Sequence, residues 1–162
     1  MSRDLNKMHQ SSAINLNQET WALLERKDRT DSDNQRMITF AKDSLYHWQK
    51  SSNYKPVNHQ RGEWLISHVY AVLNHGKEAL SHAEICMDIT MNESLKDFDL
   101  AYAYECMARA YAALGFPQKM NKCYSNAKAN WKTIKKIKDK KLFFSDLYRE
   151  PWYEGKKNQG IK

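Results

Sequence analysis

Three histidines, His68, His75 and His82, recur at intervals of seven, a spacing that would set three imidazoles on one face of a continuous helix. A metal ion needs three or four converging ligands. Gly76 interrupts the series, so the three span two helices and a turn, and no HxxxH or HExxH pair occurs. The pattern predicts no metal and no cofactor. Cys106 is the other candidate reactive group, but it follows Glu105, an anion that raises a thiol pKa. With Cys86 and Cys123 it forms no CxxC pair, and the three read as buried small hydrophobes. No strand-turn-helix elbow surrounds a serine, and the glycines stand isolated at 62, 76, 115, 155 and 160, which makes no phosphate-cradling loop.

Charge is the stronger chemical feature. The net charge is +7, yet residues 1–100 carry 12 Lys+Arg against 14 Asp+Glu and residues 101–162 carry 14 against 5. An electrostatic function therefore belongs to the C-terminal third. Within WKTIKKIKDKK, Lys132, Lys135, Lys136, Lys138, Lys140 and Lys141 accompany Trp131, Ile134 and Ile137, the composition of a basic amphipathic helix end. Such an end suits nucleic-acid phosphate or an anionic membrane surface, and the terminal GKKNQGIK adds to the field. The plainer reading is that lysines at a helix C-terminus complement its dipole and keep a solvated face soluble. No recognised nucleic-acid motif and no aromatic platform joins the charge in the sequence.

The elements that must position these groups are helical. Only five Gly and three Pro punctuate 162 residues, and no segment alternates with period two between turn residues, so the chain is all-α and suits a single domain. Residues 1–11 are polar and predict a disordered segment. Residues 12–150 predict one helical domain and residues 151–162 a basic tail. The start has no apolar run and no stretch reaches membrane-spanning length, so the expected location is cytoplasmic. A first helix is expected from about Asn15 to Arg26, and Ser32 with Gln35 resembles a capping box for a second. Asn58 is the expected N-cap of the third, and Asn74-His75-Gly76 ends it in a tight turn. A fourth follows at once. Asp97 or Asp99 opens the fifth, Gly115 ends it, Pro117 starts the sixth, and Pro151 stops a short seventh.

Residues 101–116, AYAYECMARAYAALGF, hold six alanines and three tyrosines, and the third and fourth helices superimpose on the fifth and sixth with an offset of 41 residues. Tyr70 falls on Tyr111, Ala71 on Ala112, Leu73 on Leu114 and Asn74 on Gly115. Tyr104, Met107, Ala108 and Tyr111, followed by Met120 and Tyr124, fit a pattern of large, apolar, small and aromatic positions. In that pattern the chain resembles the tetratricopeptide-repeat family, whose repeats are usually about 34 residues long. Ile66, Ser67, Tyr70, Ala79 and Ala83 serve in the preceding unit, where Glu63 stands at a position that expects a large side chain. The strings RGEW, VYAVL and DFDLA also resemble an uncharacterised group of bacterial helical-hairpin proteins, a likeness that carries no function.

The resemblance implies a right-handed stack of antiparallel helix hairpins with about seven helices. It further implies a concave face, lined by the first helix of each hairpin, that holds a peptide or protein partner. Carried over on the register of Tyr70 and Tyr111, the exposed groove positions are Arg61, Trp64, His68, Tyr102, Glu105 and Arg109. The plainer reading of Glu105 and Arg109 is a surface ion pair one helical turn apart, and that of Trp64 is a core residue. The expected function is a non-enzymatic protein- or peptide-binding scaffold. The alternatives are a nucleic-acid or anionic-surface binder using the lysines, and a small-molecule or metal-dependent enzyme using His68, Tyr102 and Glu105. Pairing of an uncapped hairpin face with a second copy of the chain is left open.

Overall fold

The computed structural model describes residues 3–153. These form seven helices: α1 (Arg3–Glu25), α2 (Asp31–Lys50), α3 (Pro56–Val72), α4 (Gly76–Asn92), α5 (Phe98–Ala113), α6 (Pro117–Thr133) and α7 (Ile137–Tyr148). Consecutive helices pair as hairpins, α1 with α2, α3 with α4 and α5 with α6, and the hairpins stack through α2 on α3, α4 on α5 and α3 on α5. α7 closes the stack against α5 and α6. Among the described residues no strand occurs, and no helix is long and apolar enough to cross a membrane.

α3 and α5 are central. All nine residues from Glu63 to Ala71 are buried, as are Ala101, Tyr102, Ala103, Glu105, Cys106, Ala108, Arg109, Ala110 and Ala112 on α5. A helix enclosed on every side cannot show a clean amphipathic stripe. The alanines of α5 let its neighbours approach closely, because inter-helix distance is set by the side chains at the contact. Gly76 serves the same end at the start of α4. A Cβ there would meet Leu114 Cγ at 2.7 Å and the Ala113 carbonyl carbon at 2.9 Å. Gly115 ends α5 at φ +75°, a conformation that favours glycine.

Several boundaries differ from expectation. α1 begins at Arg3, so the segment expected to be disordered is helical from that residue on. Polar tertiary contacts to α2 and to the turn after it hold it. Ser44 donates to the Ala13 carbonyl (2.7 Å), the Ser52 amide donates to Asn6 (2.6 Å) and Asn53 donates to Gln10 (2.8 Å). The capping box of α2 is Thr30 with Asp33 in place of Ser32 with Gln35, each side chain accepting from the other's backbone N–H at 3.1 Å. α3 starts at Pro56. Asn58 therefore lies inside it, where its side chain accepts from the Lys55 N–H at 2.8 Å. The expected tail is part of the fold at its start: Trp152 is fully buried, its ring edge-on to Tyr124 and its indole N–H donated to the Leu147 carbonyl at 3.0 Å. The remainder of the expected tail, residues 154–162, lies outside the described residues.

Candidate functional site

The inner face of α3 and α5 carries the residues that the repeat register selects, and most of them are covered. Of the six, Arg61 alone is exposed; Trp64, His68, Tyr102, Glu105 and Arg109 are all buried. The cover is α7, the segment after it, and Trp21 of α1.

At the bottom of this face lies a buried ion pair. Glu105 accepts from Arg109 on one carboxylate oxygen and from the Trp64 indole N–H on the other (2.8 Å), which ties α5 to α3. The pair is therefore not the surface pair of the plainer reading. Burial pushes the Glu105 carboxyl above the ordinary range, and the Arg109 guanidinium and the Trp64 N–H pull it back. Arg109 spends its remaining donors on three backbone carbonyls, those of Asp146 (2.6 Å), Arg149 (3.1 Å) and Pro151 (3.2 Å), and its guanidinium lies 4.2 Å from the Trp152 ring centroid. A single cation thus satisfies carbonyls at and beyond the C-terminus of α7, groups that a helix end cannot satisfy itself.

Above the ion pair the rings stack. His68 lies 5.0 Å from Trp64 and 5.9 Å from Trp21, and Trp21 lies 5.9 Å from Trp64. Burial, reinforced by Arg109 and Arg149, holds the His68 imidazole well below its ordinary pKa, so it is a neutral ring in an aromatic stack. Its spacing partners are elsewhere: His75 and His82 stack on Tyr70, and His82 also bonds Glu63 at 2.6 Å. Among the described residues no three His, Cys, Asp or Glu side chains converge as a metal site. Burial likewise pushes the Cys106 thiol well above its ordinary pKa.

What stays open is a cavity of about 450 Å³ bounded by α1, α3, α5 and α7. Its walls are Trp21, Trp64, Leu65, Phe98, Tyr102 and Leu142, and two ion pairs stand among them. Arg61 bonds Asp99 at 2.8 Å with its guanidinium 5.4 Å from the Phe98 ring, and Arg149 lies 3.6 Å from Asp146 and 5.7 Å from the Trp21 ring. Tyr102 donates its hydroxyl to Asp146 at 2.7 Å, and burial together with that carboxylate raises the phenol's pKa, which keeps it a donor. Gln60 donates to Thr90 and to the Asp99 carbonyl, while its fully buried side-chain oxygen has no partner among the described residues. Arg61, Trp64 and Tyr102 therefore meet at one cavity. His68, Glu105 and Arg109 form its foundation, so the set His68, Tyr102 and Glu105 does not meet around a common opening.

Trp21, Phe98, Asp99, Leu142, Asp146 and Arg149 are among the further lining residues that the register did not single out. Asp146 had a readable signal. It stands among Phe143 and Leu147 on the buried side of α7, and a carboxylate on an apolar stripe needs a partner.

The lysines do not form one helix end. Lys132 is in the last turn of α6, Lys135 and Lys136 lie in the link, and Lys138, Lys140 and Lys141 fall in the first turns of α7. The dipole reading holds for Lys132, but lysines at the start of α7 face the positive end of its dipole. Lys135 and Lys136 line an adjoining cleft of about 530 Å³, which they share with Asp97 and Asp139 and with Arg61 and Asp99 of the cavity rim. Comparison of the chain with family models, curated proteins and solved structures finds no match in any of the three.

Proposed function

We propose that the protein is a non-enzymatic binding scaffold of tetratricopeptide-like character, in which one apolar or aromatic side chain of a peptide or protein partner enters the cavity between α1, α3, α5 and α7. The observation that carries this is the cavity's make-up: four aromatic walls, two leucines, and a rim that holds two ion pairs together with the exposed Glu25. Ligand sites are commonly pockets of roughly 300–1,000 Å³ with apolar walls and a few placed polar groups. An apolar anchor gains from leaving water there. Arg61 and Arg149 offer donors, and Asp99 and Glu25 offer acceptors, to the backbone on either side of the anchor. The enzyme alternative draws less support, because Glu105 and Arg109 satisfy each other beneath the floor and Tyr102 is committed to Asp146.

A peptide library displayed on phage and selected against the intact chain tests the reading. Enriched sequences should share one large apolar residue. Their binding should fall at least about tenfold in Leu142→Trp, which fills the cavity, and in Arg61→Glu, which breaks the rim pair. No enrichment, or peptides that bind the filled variant equally well, would reject the scaffold reading.

A further inference from the structure

α7 has a side turned away from the cavity, joined to the core through Tyr124 beside Tyr148 and through Trp131 beside Phe144. Ile137, Phe144 and Tyr148 follow one another at helical spacing and are 71%, 44% and 46% exposed. Phe144 lies 5.3 Å from Trp131 of α6 and 4.5 Å from Tyr148, so Trp131, Phe144 and Tyr148 form a continuous ring ladder on the surface. An almost wholly apolar hollow of about 400 Å³ lies between Trp131, Ile137 and Phe144, rimmed by Lys140 and Lys141. Lys132, Lys138 and Lys141 are exposed around it, and among the described residues no carboxylate pairs with them. An aromatic patch thus does join the charge, contrary to the sequence reading.

We infer that this corner of α6 and α7 docks on an anionic lipid surface, with Ile137, Phe144 and Tyr148 entering the headgroup region and the lysines meeting lipid phosphate. Charge complementarity selects an anionic partner, because Lys132, Lys138, Lys140 and Lys141 belong to this corner, whereas Asp139, the lone acid within residues 131–141, lies with Lys135 and Lys136 in the other cleft. The geometry selects lipid over single-stranded nucleic acid. Base stacking needs free ring faces, whereas Phe144 lies between Trp131 and Tyr148, and the Lys140 ammonium covers Trp131 at 5.4 Å. Ile137, the most exposed of the set, has no face to stack. A lipid interface accepts aliphatic groups and ring edges alike, and lysines flanking an apolar face are its usual complement.

Co-sedimentation of the full chain with vesicles tests this. Vesicles of phosphatidylcholine with added phosphatidylglycerol should bind the protein, vesicles of phosphatidylcholine alone should not, and raised salt should release it. Lys138→Gln/Lys141→Gln should lower the partition coefficient about 25-fold, taking about fivefold for each lysine near an anionic surface. Ile137→Ser/Phe144→Ser should lower it at least about tenfold. The lysine variant removes positive charge at a helix N-terminus and so favours folding of α7, which keeps the test valid if the apolar variant fails to fold. Equal binding to both vesicle types, indifference to the lysine substitutions, or tight binding of an oligouridylate with none to vesicles would overturn the inference.

Discussion

Replacing Arg109 by methionine tests the architecture most directly, because one guanidinium joins α5 to the C-terminal segment. The change removes the donor to Glu105, the donors to the carbonyls of Asp146, Arg149 and Pro151, and the cation over Trp152. It leaves the fully buried Glu105 carboxylate with the Trp64 N–H as its remaining hydrogen bond. Breaking a buried pair by deleting one partner costs about 3–5 kcal/mol, since the other charge stays desolvated. For a chain of this length each kcal/mol lowers Tm by about 2–4 °C, so a fall of roughly 6–20 °C is expected. Glu105→Gln should cost less, about 1–3 kcal/mol, because the amide still accepts from Trp64 and Arg109 keeps its three carbonyls.

The decisive comparison is the double variant Glu105→Gln/Arg109→Met, followed by urea denaturation with each single variant. With no charge left to strand, the double variant should be more stable than Arg109→Met alone, a coupling that a sum of independent losses cannot produce. Hydrogen exchange in α7 should report loosening of the C-terminal segment in Arg109→Met before the rest of the fold opens. A Tm within about 2 °C of wild type for Arg109→Met, or costs that simply add, would refute the assignment of this pair as the tie between α5 and α7.

Ala108→Leu on α5 should destabilise the chain by about 1–3 kcal/mol by overpacking, because Ala108 is fully buried on the central helix; an unchanged Tm would contradict the close packing. His68→Phe should alter the pH dependence of stability. The folded imidazole is held well below its ordinary value, so as pH falls below about 6.5 the unfolded state takes a proton that the folded state refuses. Wild type should therefore lose up to about 1.4 kcal/mol per pH unit below that point until the folded pKa is reached, and His68→Phe should lack this component of the slope. Parallel denaturation curves from pH 7 to pH 5 for the two proteins would show that His68 charges freely in the fold.

The hairpins were readable where local rules decide. Asn74, Gly115 and Pro117 mark chain reversals that need left-handed backbone or a helix start, and they lie where expected. The start of α1 was not readable, because hydrogen bonds to residues some 30 to 45 positions away hold it and apolar periodicity does not. The inner face was half readable. Arg61, Trp64 and Tyr102 of the register's set line one opening, but the register assigned exposure to residues that the chain's own end covers. That cover depends on Arg109 reaching carbonyls about 40 residues away, a pairing that helical spacing alone does not encode.

Both proposed surfaces use α7, which raises the question of whether they communicate. Leu142 faces the cavity, Ile137, Phe144 and Tyr148 face outward, and Phe143, Asp146 and Leu147 anchor the helix in the core. Coupling between two sites requires an element with two arrangements that both ligands bias, and typical coupling free energies are about 1–3 kcal/mol. Displacing α7 as a body would strip Arg109 of its carbonyls and loosen a buried pair whose disruption costs about 3–5 kcal/mol. That cost exceeds what a ligand of ordinary coupling supplies. The anchoring of α7 therefore favours two independent surfaces on one fixed helix, with occupation of the cavity leaving the geometry of the ring ladder unchanged.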